Sequence, residues 1–185
     1  MSKIIIGFVG HIASGKDVCK KYIMEKYGAS SHRYSTVLRD VLNRLYLPIN
    51  RANMQDLSLD LRTRFGGDLL ARVIIEDITR DASEIVIIDG IRRLDDTKSL
   101  GEKFPDIYVI GIDVKAELRY ERMIKRNENE GDAAKTFEQF MIDDQKEAEL
   151  EIPTVMAAAK YKLDNNGSLE ELYAQLHKVI AEIKK

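Results

Sequence analysis

The sequence predicts a single α/β domain in which helices cover both faces of a parallel β-sheet. Three runs rich in Ile and Val do not alternate with polar residues, as expected for strands that are buried on both sides. Helical patterns separate these runs, and strands that alternate with helices form parallel sheets with right-handed crossovers. At 185 residues the chain is long enough for one sizeable core, so we expect residues 1–185 to form one domain.

The apolar runs place five strands. Three buried strands are predicted over Ile4–Val9, Ile85–Asp89 and Ile107–Val114, and two shorter ones over His32–Ser35 and Tyr161–Leu163. In sheets of this kind, ligands bind at the carboxyl ends of the strands. Functional residues are therefore expected directly after the ends of the first four strands.

Helices are predicted where apolar residues recur every three to four positions. A stripe over 37–45 follows Ser35 or Thr36, either of which is expected to cap a helix. A second stripe, over 54–65, stops at Gly66-Gly67.

Two further helices are expected to begin at capping residues. Asp68 precedes an apolar stripe over 69–78. Ser168 and Glu171 have the spacing of a capping box at the start of the last helix.

Composition narrows the classes of function. The formal net charge is −2, so the chain lacks the basic footprint of a protein that binds nucleic-acid polymers. Cys19 is the only cysteine, which excludes an internal disulfide and favours a reducing compartment. The first apolar run is too short to span a membrane and leads to no signal-peptide cleavage site. We expect a cytoplasmic monomer or homodimer that recognises phosphate through a few convergent Lys and Arg side chains.

A phosphate-binding loop is predicted between the first strand and a helix over Lys16–Tyr27. The segment, called the phosphate loop below, reads Gly10-His11-Ile12-Ala13-Ser14-Gly15-Lys16-Asp17. This is G-x-x-x-x-G-K with Asp in place of the usual Ser or Thr. Its glycines let successive N–H groups point at phosphate oxygens, and the helix adds the positive end of its dipole. Lys16 is expected to reach the β and γ phosphates of ATP.

Two acids are predicted to hold Mg²⁺ beside this loop. Asp17 stands where a hydroxyl usually coordinates the ion, and a carboxylate is also a hard oxygen ligand. Asp89 leaves a buried strand and is followed by Gly90, which allows a ligand close to the backbone. The alternatives are a helix cap for Asp17 and a structural turn for Asp89. Asp95 and Asp96 are expected only to cap or solvate the next helix.

Two arginines are predicted to clamp the phosphate of an acceptor. Arg39 lies four residues after Ser35, near the end of the second strand, and Arg93 follows the Asp89 turn. Guanidinium groups that converge at strand ends can bind phosphate through paired hydrogen bonds. Ser35, Arg39 and Arg93 are therefore candidate acceptor-binding residues, within a substrate-binding helical region over 36–80.

A mobile lid is predicted over 127–135, because this stretch is polar, contains glycine and lacks an apolar stripe. Arg122 and Arg126 precede it on one helical face, with a spacing of four residues. Arginines at a lid hinge can reach the transferring phosphoryl group as the lid closes. The alternative is a solvated charged helix. Asp143 and Asp144, further along the chain, are interpreted as part of a solvated face.

With these motifs the chain resembles the nucleoside monophosphate kinase branch of the P-loop kinases. It is most similar to adenylate-kinase-related proteins and viral-type deoxynucleoside monophosphate kinases, with dephospho-coenzyme A kinases as close relatives. The motifs that carry the resemblance are Gly10–Asp17, Ser35–Arg39, Ile88–Arg93 and the pair Arg122 and Arg126. Adenylate kinases have D-G-F-P-R where this chain has D-G-I-R-R, so the resemblance carries no base specificity.

The resemblance implies a five-stranded sheet in the order 2-3-1-4-5, ATP and Mg²⁺ as cofactors, and transfer of the γ-phosphoryl group to a nucleoside or deoxynucleoside monophosphate. Asn166 lies in a segment similar to one that these kinases place near the adenine. The resemblance also implies that Arg39 and Arg93 hold the acceptor monophosphate.

Other functions remain open. A dephospho-coenzyme A kinase needs a base for an alcohol proton, and the loop after the second strand offers no clear one. A motor ATPase usually carries a second acid at the position that Gly90 occupies here. A switch protein that binds guanine nucleotides needs an N-K-x-D-like motif that recognises the base. A non-catalytic ATP-binding regulator stays possible because Asp17 departs from the usual loop.

Overall fold

A computed structural model describes residues 3–127, 131–145 and 150–184. The five strands form one parallel sheet in the order β2-β3-β1-β4-β5, which confirms the predicted fold. The strands are β1 (Ile4–Val9), β2 (Ser30–Arg33), β3 (Ile85–Ile91), β4 (Tyr108–Asp113) and β5 (Tyr161–Asp164).

Helices connect the strands and cover the sheet. They are α1 (Lys16–Tyr27), α2 (Tyr34–Arg44), α3 (Arg51–Phe65), α4 (Leu69–Arg80), α5 (Leu94–Lys103), α6 (Ala116–Arg126), a 3₁₀ turn (Asp132–Ala134), α7 (Phe137–Asp143), α8 (Ile152–Ala158) and α9 (Leu169–Ile183). Within the described ranges, no helix combines the length and apolar character that crossing a membrane requires.

Two hydrophobic cores lie on opposite faces of the sheet. Alternate residues of β1 point to different cores, Ile5 and Val9 to one and Ile6 and Phe8 to the other. Helices α2, α4, α5 and α8 pack on the first face, and α1 and α9 on the second. The sheet is therefore buried on both sides. The loops that follow the carboxyl ends of its strands carry the predicted site.

The predicted start of α2 is wrong. The helix begins at Tyr34, so Ser35 and Thr36 lie inside its first turn instead of capping it. Tyr34, Leu38 and Leu42 are all buried and lie on one face with a spacing of four residues. Because this apolar face begins at Tyr34, packing against the sheet fixes the start of the helix ahead of either candidate cap.

Of the three other capping predictions, two are confirmed. Gly66 ends α3 with a positive φ of 107°, and Ser168 and Glu171 form the expected capping box on α9. Asp68 occupies the N-cap position of α4, but its carboxylate lies 3.4 Å from Arg72 Nε and, among the described contacts, bonds no backbone N–H of that helix.

Candidate active site

The phosphate loop joins β1 to α1 in the predicted place. Gly15 caps α1 in the left-handed region, with φ 103°, and a Cβ there would collide with the side-chain amide of Asn165. That amide donates a hydrogen bond to the carbonyl of Ser14, at 2.8 Å. The turn between β5 and α9 therefore fixes the loop, and only glycine fits at its end.

Lys16 lies against the phosphate loop. Its Nζ donates hydrogen bonds to the carbonyl oxygens of Gly10, at 2.6 Å, and His11, at 2.8 Å. The ammonium is thus held against the backbone of the phosphate loop. This position fits a group that neutralises a phosphate bound there.

The two predicted metal ligands meet at one cation. Lys20 Nζ lies 2.9 Å from Asp17 Oδ1 and 2.9 Å from Asp89 Oδ2. Burial opposes ionisation of Asp17, but the hydrogen bond and charge of Lys20, with the charges of Arg33 and Arg126, hold its pKa below the ordinary value. Both acids are therefore placed to bind a single positive ion.

The donor set fits Mg²⁺ bound together with nucleotide. Among the residues that the structure describes, no third Asp, Glu, His or Cys joins Asp17 and Asp89 in a metal cluster. Mg²⁺ is commonly held by one or two carboxylates together with substrate phosphates and water. An all-protein metal cage is not needed for that mode of binding.

Arg122 and Arg126, the two arginines that precede the predicted lid, reach the same region. Arg126 Nη1 lies 3.2 Å from Asp17 Oδ2, and Arg122 Nη2 donates to the carbonyl of Asn165 at 3.0 Å. Arg122 Nη1 is buried and has no hydrogen-bond partner within the described residues. A buried, unpaired donor on a charged group is costly, which indicates a site for an acceptor atom of a ligand.

One cavity of about 710 Å³ contains most of the predicted site. Its walls carry eight cationic side chains and four carboxylates, so it suits an anionic ligand. The charged lining residues are Lys16, Arg33, Arg39, Arg62, Arg92, Arg93, Arg122, Arg126, Asp17, Asp56, Asp89 and Asp96. From the predicted set, Ile12, Ala13, Ser14, Gly15 and Ser35 also line it.

The predicted acceptor residues also line this cavity. The hydroxyl of Ser35 and the Nε of Arg39 are buried and lack protein partners within the described chain. The Tyr34 hydroxyl and the Arg62 Nε, on residues that also line the cavity, are likewise buried without partners in the described chain. Polar atoms buried around one cavity without partners are expected where a polar ligand completes their hydrogen bonds.

Asp96 does not solvate its helix, contrary to prediction. It is 1% exposed and accepts two hydrogen bonds from the guanidinium of Arg62, at 3.1 and 3.3 Å. Burial raises the pKa of Asp96, while the charges of Arg62 and Arg93 oppose that rise. The pair joins α3 to α5 and forms part of the cavity wall.

Asp144 is likewise not a solvated side chain. It accepts two hydrogen bonds from Arg119, at 2.8 and 2.7 Å, and lies 3.3 Å from His11 Nδ1. Burial would raise the pKa of Asp144, but His11 and Arg119 hold it well below the ordinary value. Asp144 therefore connects α6 and the end of α7 to the phosphate loop.

Three residues predicted to bind the cofactor are absent from the described lining of the cavity: Gly10, His11 and Asn166. The Oδ1 of Asn166 accepts a hydrogen bond from the backbone N–H of Lys115 at 2.8 Å. The asparagine that contacts the phosphate loop is its neighbour Asn165. Residues 128–130 of the predicted lid lie outside the described residues, and the 3₁₀ turn at Asp132–Ala134 follows them, so the mobility of the lid stays a prediction.

Comparisons with known proteins agree with this architecture. A protein-family model described as an AAA domain matches residues 9–140. A UPF0200 protein of Thermococcus kodakarensis is 31% identical over 184 residues, covering 97% of this chain and 98% of its own. A UPF0200 protein of Methanoregula boonei is 28% identical, covering 98% of both chains.

Two solved kinases share the fold. A shikimate kinase from Bacteroides thetaiotaomicron has a TM-score of 0.65 at 12% identity and covers 98% of this chain and 99% of its own. A gluconokinase from Sinorhizobium meliloti has a TM-score of 0.55 at 14% identity, with 98% and 95% covered. At these identities the likeness establishes a P-loop kinase-like fold alone.

Proposed function

We propose that this chain, which belongs to the AAA domain family and to the UPF0200 family, transfers the γ-phosphoryl group of ATP to a small phosphorylated acceptor. The leading acceptor class is a nucleoside or deoxynucleoside monophosphate. The observation that carries the proposal is that a single cavity joins the phosphate loop to Ser35, Arg39 and Arg93. Its volume lies within the range of small-molecule sites, roughly 300–1,000 Å³.

The donor end is suited to a triphosphate. Loop amides, the N-terminus of α1 and Lys16 would bind its anionic oxygens. Asp17 and Asp89 would hold Mg²⁺, which supplies neutralisation of phosphate charge when bound. Arg122 and Arg126 would stabilise charge on the phosphoryl group between donor and acceptor, where fixed cations contribute most.

The acceptor end favours an anion over a bare alcohol. Transfer to a hydroxyl needs a base to accept its proton, whereas a phosphate acceptor is already ionised. Asp89 contacts Lys20, and Asp96 is paired with Arg62. These two carboxylates are therefore engaged with cations, while the guanidinium groups that line the cavity suit a phosphate. This favours a monophosphate over dephospho-coenzyme A.

An acceptor panel tests the proposal. Purified protein with Mg-ATP is incubated with each ribo- and deoxyribonucleoside monophosphate, dephospho-coenzyme A, shikimate and gluconate, and labelled phosphate from γ-³²P-ATP is followed into product. We expect transfer to at least one monophosphate, and roughly 100-fold slower transfer with Lys16→Met. Transfer only to an alcohol acceptor would contradict the proposed acceptor class. ATP binding with no transfer to any compound would favour the non-catalytic regulator.

A further inference from the structure

We propose that Lys20 is a built-in counter-ion for Asp17 and Asp89, and that it competes with the divalent cation for their oxygens. The proposal deepens the proposed function, on which it rests for the identity of the metal site. It assigns a positioning role, because Lys20 would act on the metal ligands and is not among the residues that line the cavity.

The geometry places Lys20 between the acids. Its Nζ lies 2.9 Å from one oxygen of each, and its side chain is 19% exposed. Asp89 is 2% exposed, so its charge is poorly solvated, whereas Asp17 is 45% exposed. Lys20 also lies four residues after Lys16 on α1, and its ammonium reaches Asp89 in β3.

Two further cations lie near these acids. Arg33 Nε lies 3.4 Å from Asp89 Oδ2, and Arg126 Nη1 lies 3.2 Å from Asp17 Oδ2. The ammonium of Lys20 lies closer, within 2.9 Å of an oxygen of each acid. Burial works against the charge on Lys20, yet the two carboxylates raise its pKa above the ordinary value.

Competition between Lys20 and a divalent cation for the oxygens of Asp17 and Asp89 follows from this arrangement. Two carboxylates that share one ammonium lie close enough to repel each other strongly once it is removed. A divalent cation that binds the same oxygens must displace the ammonium, and the long lysine side chain allows this movement. Lys20 therefore weakens metal binding in the absence of nucleotide, so that the phosphates of ATP are needed to bring the metal in.

The test is metal binding by the nucleotide-free, full-length protein. Mn²⁺ is titrated into wild type and Lys20→Met, with free Mn²⁺ measured by electron paramagnetic resonance. We expect the variant to bind Mn²⁺ about tenfold more tightly or better, because an opposing charge has been removed. Lys20→Arg keeps a cation at this place and should resemble wild type. The unfolding temperature of Lys20→Met should also rise with Mg²⁺ alone, more than that of wild type.

Lys21→Met is the matched control. Lys21 is next to Lys20 on α1, but its side chain is 75% exposed and lies 3.7 Å from Glu25. It should bind Mn²⁺ as wild type does. In Lys20→Met with Asp17→Asn, the gain in affinity should disappear, because one of the two acids is lost.

Unchanged or weaker Mn²⁺ binding by a folded Lys20→Met protein would overturn the inference. Lys20→Gln serves as the second variant if the methionine protein does not fold. The two proposals fail separately, since Mn²⁺ binding needs no acceptor. Tighter binding by Lys20→Met without phosphoryl transfer by wild type would leave the inference standing and contradict the proposed function.

Discussion

Asp17 and Asp89 lie 72 positions apart in the sequence, yet one ammonium group contacts both carboxylates, at 2.9 Å each. Asp17 lies in the first turn of α1, and Asp89 lies within β3, next to β1 in the sheet. Parallel pairing of β1 with β3 therefore brings the helix that follows one strand beside the acid of the other. This relationship is the basis for a shared metal site.

Substitutions of Asp89 and Asp17 are expected to differ in their effect on the Mg²⁺ requirement. Asp89→Asn should raise the Mg²⁺ concentration for half-maximal activity by roughly tenfold, because an amide is a weaker ligand than a carboxylate. Asp17→Ser should keep activity, because a hydroxyl is also an oxygen ligand. Activity is measured against free Mg²⁺ at saturating ATP. Loss of activity in Asp17→Ser with an unchanged Mg²⁺ profile would contradict a metal role for Asp17.

Lys16 is expected to act on the transition state. Lys16→Met should lower kcat by roughly 100-fold, since the ammonium neutralises charge that develops on the transferring phosphoryl group. Its contacts with the carbonyls of Gly10 and His11 are local, so the fold should persist, which circular dichroism checks. A folded variant with near-normal kcat would show that the lysine is not catalytic.

The pair between Arg62 and Asp96 is expected to stabilise the wall of the cavity. Asp96→Asn leaves a buried guanidinium without its counter-charge and should lower the free energy of unfolding by about 3 kcal/mol. Asp95 is the matched control, because it is the exposed neighbour in the same turn of α5. Asp95→Asn should change stability by about 0.5 kcal/mol or less. Equal effects in chemical denaturation would contradict a structural role for the buried pair.

The contact between Asp144 and Arg119 predicts a pH-dependent stability. The pKa of Asp144 is lower in the folded state, so its contribution is present above the ordinary Asp pKa of about 3.9 and is lost as the pH falls below it. Asp144→Asn should cost about 2 kcal/mol at neutral pH, and the difference from wild type should shrink in acid. Asp60→Asn, on the exposed face of α3, is the control. A difference that does not depend on pH would exclude the ionic contact as its source.

The elements of the fold were predictable because each leaves a local pattern. Apolar runs rich in Ile and Val mark β1 and β3, and Gly10, Gly15 and Lys16 have the spacing that curls a backbone around phosphate. Ser35, Arg39, Arg93 and Arg122 were found by their places at strand ends and on a helix face, and the structure gathers them at one cavity.

The side-chain pairs were not predictable, because they depend on packing between distant elements. Lys20 follows the phosphate loop as an ordinary helical lysine, and its role appears only once β3 lies beside α1. Asp96 lies in the first turn of a helix, a position where acidic residues are common and usually exposed to solvent. Its burial results from the packing of α3, which carries Arg62 34 residues earlier. The sequence offers no signal for Asn165 beyond a polar turn, and so does not distinguish it from Asn166.

The most direct test of the account is the two-substrate kinetics of Arg39→Ala and Arg93→Ala with the best acceptor from the panel. The account predicts that the acceptor KM rises about ten- to a hundredfold, the cost of one charge-assisted contact, while the KM for ATP stays nearly constant. Arg44→Ala, on the exposed face of the same helix as Arg39, should match wild type. Loss of ATP binding in Arg39→Ala or Arg93→Ala with an unchanged acceptor KM would contradict the account, because the two ends of the cavity would then be assigned the wrong way round.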